Sequence, residues 1–111
     1  MKNIDDINKI MKAVELEMKL KETKKEADAA VMMNDVYMIH IDKKYEGKLR
    51  DIELIREVQR RMTELTKIIT SLKDIEHQAI VIKDMDIYWK CEAKIVKMID
   101  QMEIMRNKYG C

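Results

Sequence analysis

The histidines, His40 and His77, are the first residues to examine for chemistry. Asp74 and His77 are three residues apart, so a helix puts both on one face, as in half of a carboxylate-bridged di-iron site. The other half needs an acid three residues before the second histidine, and Tyr37 stands there instead. Neither a metal nor a cofactor is expected. Ser71 is the only serine, and no histidine lies near it in sequence to act as a base. Gly47 and Gly110 are the only glycines, so there is no glycine-rich loop to cradle phosphate. Cys91 falls on the apolar face of a helical pattern, where a thiol is not activated. The chain is not expected to be an enzyme.

Two groups of residues suit binding better than catalysis. Arg56, Arg60 and Arg61 cluster within six residues, and between positions 43 and 67 there are eight basic and five acidic residues. Such a face can meet phosphates, but Glu53, Glu57 and Glu64 salt it with the opposite sign, so nucleic acid is an unlikely partner. Tyr88, Trp89 and Lys90 are consecutive. Helical neighbours point about 100° apart, so Trp89 faces another surface if Tyr88 joins the core. Tryptophan is favoured at binding hot spots, which makes Tyr88, Trp89 and Lys90 the second candidate site.

The elements that carry these residues follow from composition. The 111 residues fit one domain spanning 1–111. There is no proline, hydrophobic residues make up 47% and charged residues 39%. That is the balance of long helices with an apolar stripe and a charged back, and it is too apolar for disorder. Strands joined by tight turns need glycine and proline that are missing here. The net charge of +1 gives no general pull toward nucleic acid or an anionic membrane. No run is apolar enough for a membrane span, and the acids of the first ten residues replace a signal peptide's apolar core. Two cysteines, Cys91 and Cys111, make no disulfide framework. A cytoplasmic location is expected.

Helical seams are legible along the whole chain. Asn3 is a candidate cap before Asp5 and Asp6, and Ile4, Ile7, Met11, Val14 and Met18 follow with spacing three, four, three, four. The seam then slips, and a second one takes over at Leu16, Leu20, Thr23, Ala27 and Ala30. Residues 29–41 are apolar nearly all round, which predicts burial on every side; over 36–41 a short strand is the rival, and helix is favoured because methionine and alanine dominate. Ile55, Val58, Met62, Leu65, Ile69 and Leu72 form a middle seam, extended backward by Ile52. Residues 79–89 read as helix with strand as the rival. The last seam runs Tyr88, Cys91, Ile95, Met98, Met102, Met105 and Tyr109. Ser71 with Asp74 resembles a helix cap.

The expectation is an all-α, elongated three-helix bundle with coiled-coil-like seams, breaking near Asn34 and near Ser71. A helical hairpin breaking only at Gly47 is the alternative. So much apolar surface in so small a chain predicts a homo-oligomer. The function expected is that of a self-associating protein–protein interaction module that engages or blocks a protein partner. Enrichment in Met, Ile, Lys and Asp is compatible with a small phage or viral accessory protein. A small-ligand (nucleotide-like) binding oligomer and a weak nucleic-acid binder are the alternatives.

Overall fold

With no proline and almost no glycine, a helix in this chain runs until a cap ends it. The structure, a computed structural model, describes residues 4–46 and 51–110. Three helices follow in order: α1 (Ile4–Lys44), α2 (Ile52–Val81) and α3 (Met85–Tyr109). They form an all-α three-helix bundle, elongated to 69 × 18 × 18 Å. Asn3, Gly47 and Cys111 lie outside the described residues.

The helix ends are set by caps. Asp51 precedes α2 and accepts a 2.8 Å hydrogen bond from the Glu53 amide, which satisfies one of the orphan donors of a helix start. The turn between α2 and α3 is only three residues long. Lys83 stands at φ 60 in the left-handed region. Its amide donates to the Ile80 carbonyl at 3.1 Å, and the Asp84 amide donates to that of Ala79 at 2.9 Å. That is a Schellman ending, the usual seat of glycine, built here on lysine. Asp84 then caps α3 by accepting from the Ile87 amide at 3.2 Å. Gly110, at φ 72, ends α3 in the same left-handed way.

These caps correct two expectations. No break occurs at Asn34 or at Ser71, which both lie inside helices. Ser71 caps nothing: its hydroxyl donates to the Lys67 carbonyl one turn back, as Thr63, Thr66 and Thr70 do to theirs. Hydroxyls so satisfied are tolerated in a helix interior. Residues 36–41 are helical as favoured, whereas the 79–89 stretch is interrupted by the turn at residues 82–84. That turn also excludes the two-helix alternative.

Each helix contributes one stripe to the core. From α1 come Leu16, Leu20, Ala27, Ala30, Met38 and Ile41; from α2, Leu54, Val58, Leu65, Ile69, Leu72 and Ile75; from α3, Ile87, Cys91, Ile95, Met98, Met105 and Tyr109. The middle and last seams are therefore largely in the phase read from sequence. Met62 and Met102 are only partly buried, as is Tyr88, whose neighbour Ile87 takes the fully buried place. Ile52 is 67% exposed and does not extend the seam.

Polar ties fix the registers. Lys94 pairs with Asp28 and Lys108 with Asp42, each 66 residues apart, while the Asn34 side chain donates to Gln101 across 67 residues. A constant offset means that α1 and α3 run parallel, as in an up-down-up bundle. Thr66 facing Met102, and Glu76 facing Glu92, set the antiparallel register of α2 on α3. By the first offset, Met85 stands level with about Lys19. α1 therefore projects beyond the start of α3 by about 15 residues, or ~22 Å at 1.5 Å per residue.

Candidate functional site

α1 carries apolar side chains on two opposite faces. Its inner face begins only at Leu16, the first buried residue. Before that, the core-facing positions of the projecting arm hold Asp5, Asp6, Lys9, Lys12 and Ala13, residues unsuited to extend the bundle. Ile10 and Ala13 line a cleft with the turn between α2 and α3, while the arm's other apolar side chains point the other way. Ile4, Ile7, Met11, Val14 and Met18 are 47–74% exposed. The seam read from them does exist, but no helix among the described residues covers it.

The same outer face becomes apolar again farther along. Met32, Val36 and Ile39 are 75%, 56% and 57% exposed, with Ala29 exposed between them and Met18. This corrects the expectation that residues 29–41 are buried all round: Ala30, Asn34, Met38 and Ile41 are buried, and the opposite half of the turn is open. The outer stripe lies roughly 170° around the helix from the inner one. Between its two apolar stretches stand Lys21, Glu22 and Lys25.

The residues singled out from sequence fall into separate places. Trp89 is 61% exposed and sits edge-on to Tyr88, with ring centroids 5.0 Å apart. It does face away from the core, as the 100° argument requires. Lys90 is held by Asp86 at 2.9 Å. Arg56 and Arg60 are exposed on α2. With Trp89 level with about Ala79, the arginines lie about 30 Å away along α2, so the two groups do not form one site.

Arg61 is structural rather than free. Its guanidinium donates to the Ala30 carbonyl of α1 at 2.9 Å, pairs with Glu64 at 3.2 Å, and lies 5.6 Å from the centre of the Tyr37 ring. Only 16% of its side chain is exposed. The Tyr37 hydroxyl donates to the Glu57 carbonyl at 3.0 Å, and the Glu57 carboxylate pairs with Lys44 at 2.7 Å. Lys44 holds that carboxyl below the usual range. Tyr37, Glu57, Arg60, Arg61 and Glu64 line a cleft of about 280 Å³, below the usual size of a ligand pocket. Its arginines are answered by two carboxylates. The arrangement joins α1 to α2 and leaves little net charge for a phosphate.

Among the described residues, no group of three or more His, Cys, Asp or Glu side chains could hold a metal ion. Cys91 is buried, and burial with Glu76 and Glu92 nearby pushes its thiol up to about 11, far from a nucleophile's range. No helix among the described residues is long and apolar enough to cross a membrane. What the structure offers is exposed apolar surface: among the described residues, ten of the eighteen exposed large hydrophobic side chains are on α1, and the others, Ile80, Val81 and Trp89 among them, are on α2 and α3. The first half of the α1 stripe is legible in the residue order as a helical seam, but a seam's period says nothing about which body covers it. No protein-family model matches the chain, and no curated protein or solved structure matches it either.

Proposed function

We propose that this protein is a helical interaction module that self-associates through the outer face of α1. The observation that carries the reading is the apolar stripe, which turns away from the chain's own core and continues onto an arm that, among the described residues, buries no side chain before Leu16. Eight of the ten exposed large apolar side chains of α1 lie on this face, in two stretches on either side of Lys21, Glu22 and Lys25, and apolar surface gathered on one face marks an interaction site. The arm, about 15 residues long, is held as helix by propagation from the rest of α1 rather than by a core of its own, and covering its apolar side would stabilise it. Methionine recurs in the stripe at Met11, Met18 and Met32, and flexible thioethers suit adaptable contacts. The exposed Trp89, Arg56 and Arg60 on the other helices remain for a protein partner that the assembled module engages or blocks. We place the module in the cytoplasm, where an unpaired thiol such as Cys91 stays reduced.

Sedimentation across a concentration series tests this reading. The protein should exceed one chain mass, 13.3 kDa, at micromolar concentration. Val14→Lys should return it to the monomer with its helical circular dichroism intact. A monomer at all concentrations, or an assembly indifferent to Val14→Lys, would remove the basis of the reading.

A further inference from the structure

The stripe on α1 has a symmetry that identifies its occupant. Read forward from Ile4, it steps to Ile7, Met11, Val14 and Met18 with spacing three, four, three, four. Read backward from Ile39, it steps to Val36, Met32, Ala29 and Lys25 with the same spacing. The spacings of the two halves mirror each other about a point between Lys21 and Glu22, with Lys25 falling opposite Met18. We infer that the outer face of α1 packs antiparallel against α1 of a second copy, about a two-fold axis at Lys21 and Glu22, into a six-helix dimer. This inference rests on the self-association reading above and specifies its geometry.

The pairing follows from the register. Ile4 meets Ile39 of the partner subunit, Ile7 meets Val36 of the partner subunit, and Met11 meets Met32 of the partner subunit. Val14 meets Ala29 of the partner subunit, and Met18 lies under the stem of Lys25 of the partner subunit. A C₂ contact requires this self-complementarity, with one patch serving both subunits. The projecting arm of each copy then lies on the outer face of the other's bundle. The Leu16 and Leu20 face stays with its own α2 and α3, so the dimer needs no rearrangement of the chain.

A parallel pair would also match apolar residues, but it stacks Lys21, Glu22 and Lys25 each on its own copy. The antiparallel pair brings Lys21 beside Glu22 of the partner subunit and opposes the two helix dipoles. The area is sufficient as well. Residues 4–39 span ~53 Å of helix. Eight half- to three-quarter-exposed apolar side chains, each offering on the order of 100 Å², reach the ~800 Å² per partner of a standard interface.

Disulfide trapping tests the geometry. In a Cys111→Ser background, with Cys91 buried, mild oxidation of the Met11→Cys/Met32→Cys double variant should give a covalent dimer. Each single variant should stay largely uncrosslinked, and mixing the two single variants should give the heterodimer. Positions 11 and 32 are ~31 Å apart on one helix, so no bridge forms within a chain. Met11→Glu/Met32→Glu should weaken dimerisation at least about tenfold with helicity unchanged. Efficient self-crosslinking of Met11→Cys alone would show a parallel pair. A dimer trapped in neither pattern would mean association through another face. Either result overturns the antiparallel arrangement, and the first of them leaves self-association through α1 standing. A monomer at about 100 μM before oxidation would overturn both.

Discussion

Asn34→Leu should make this protein more stable. Asn34 is the only polar residue buried in the core among those described. Its amide nitrogen donates to the Gln101 side chain at 2.9 Å, while its carbonyl oxygen, also buried, has no partner. A buried acceptor left unpaired costs about 1–3 kcal/mol, and the one hydrogen bond that is made contributes about 1 kcal/mol. Leucine removes both and adds apolar burial between α1 and α3. Gln101 is partly exposed and can turn to water. The net expectation is a gain of about 1–2 kcal/mol. Asn34→Ala removes the same acceptor but leaves space, so it should fall below Asn34→Leu by the cost of the cavity. Urea denaturation at one fixed chain concentration is the assay, because the self-association proposed above would make stability depend on concentration. An unchanged slope with a raised midpoint for Asn34→Leu is the expected result. A midpoint at or below that of the parent would refute the reasoning and show that the Asn34 carbonyl is satisfied. Residual disorder between α1 and α3 in Asn34→Leu would instead show that the polar contact selects the register, as a single buried asparagine can in coiled coils.

Other expectations concern separate parts of the fold. Leu65 is fully buried, so Leu65→Ala should cost about 2–5 kcal/mol. Glu64→Ala, at a 56% exposed side chain paired with Arg61, should stay within about 0.5 kcal/mol; equal midpoints for the two would place α2 in the wrong phase. Lys83→Gly should stabilise by about 0.5–1 kcal/mol, because lysine is strained at a left-handed helix ending, and a lowered melting temperature would contradict the Schellman turn. Burial and the facing Glu92 push the Glu76 carboxyl up to about 7. With the folded value raised above the unfolded one, its proton favours the folded state, and stability declines as pH rises from about 4.5 to 7. Glu76→Gln should therefore raise the denaturation midpoint at pH 8 and change it little at pH 4; equal effects at both would contradict the shift. Trp89, 61% exposed, should emit as an exposed indole, be readily quenched, and keep its emission maximum on dilution, since the proposed α1 interface does not include it. A red shift on dilution would instead put α3 at the subunit contact.

Much of the architecture was already present in one dimension. The missing proline, the 39% of charged residues and the three-four spacing of Val58, Met62, Leu65, Ile69 and Leu72 dictate helices with one apolar side, whatever the rest of the chain does. The symmetric spacing of the α1 stripe is also a property of the residue order alone. What residue order could not settle is which stripe meets which body. The seams beginning at Ile4 and at Leu16 have the same period, so periodicity ranks them equally. Only packing against α2 and α3, in the register held by Asp28 with Lys94 and Asp42 with Lys108, buries one and leaves the other open. The helix ends were equally undetermined. Ser71 and Asn34 looked like breaks because their side chains suit caps, yet one satisfies itself on the preceding turn and the other reaches Gln101 on α3. The real turn sits on Lys83, whose left-handed backbone no lysine advertises, and it is held by hydrogen bonds from a helix end that must reverse to pack. Arg61 likewise read as surface charge, but the Ala30 carbonyl that anchors it is 31 residues away in sequence, and only the meeting of α1 and α2 brings it within reach.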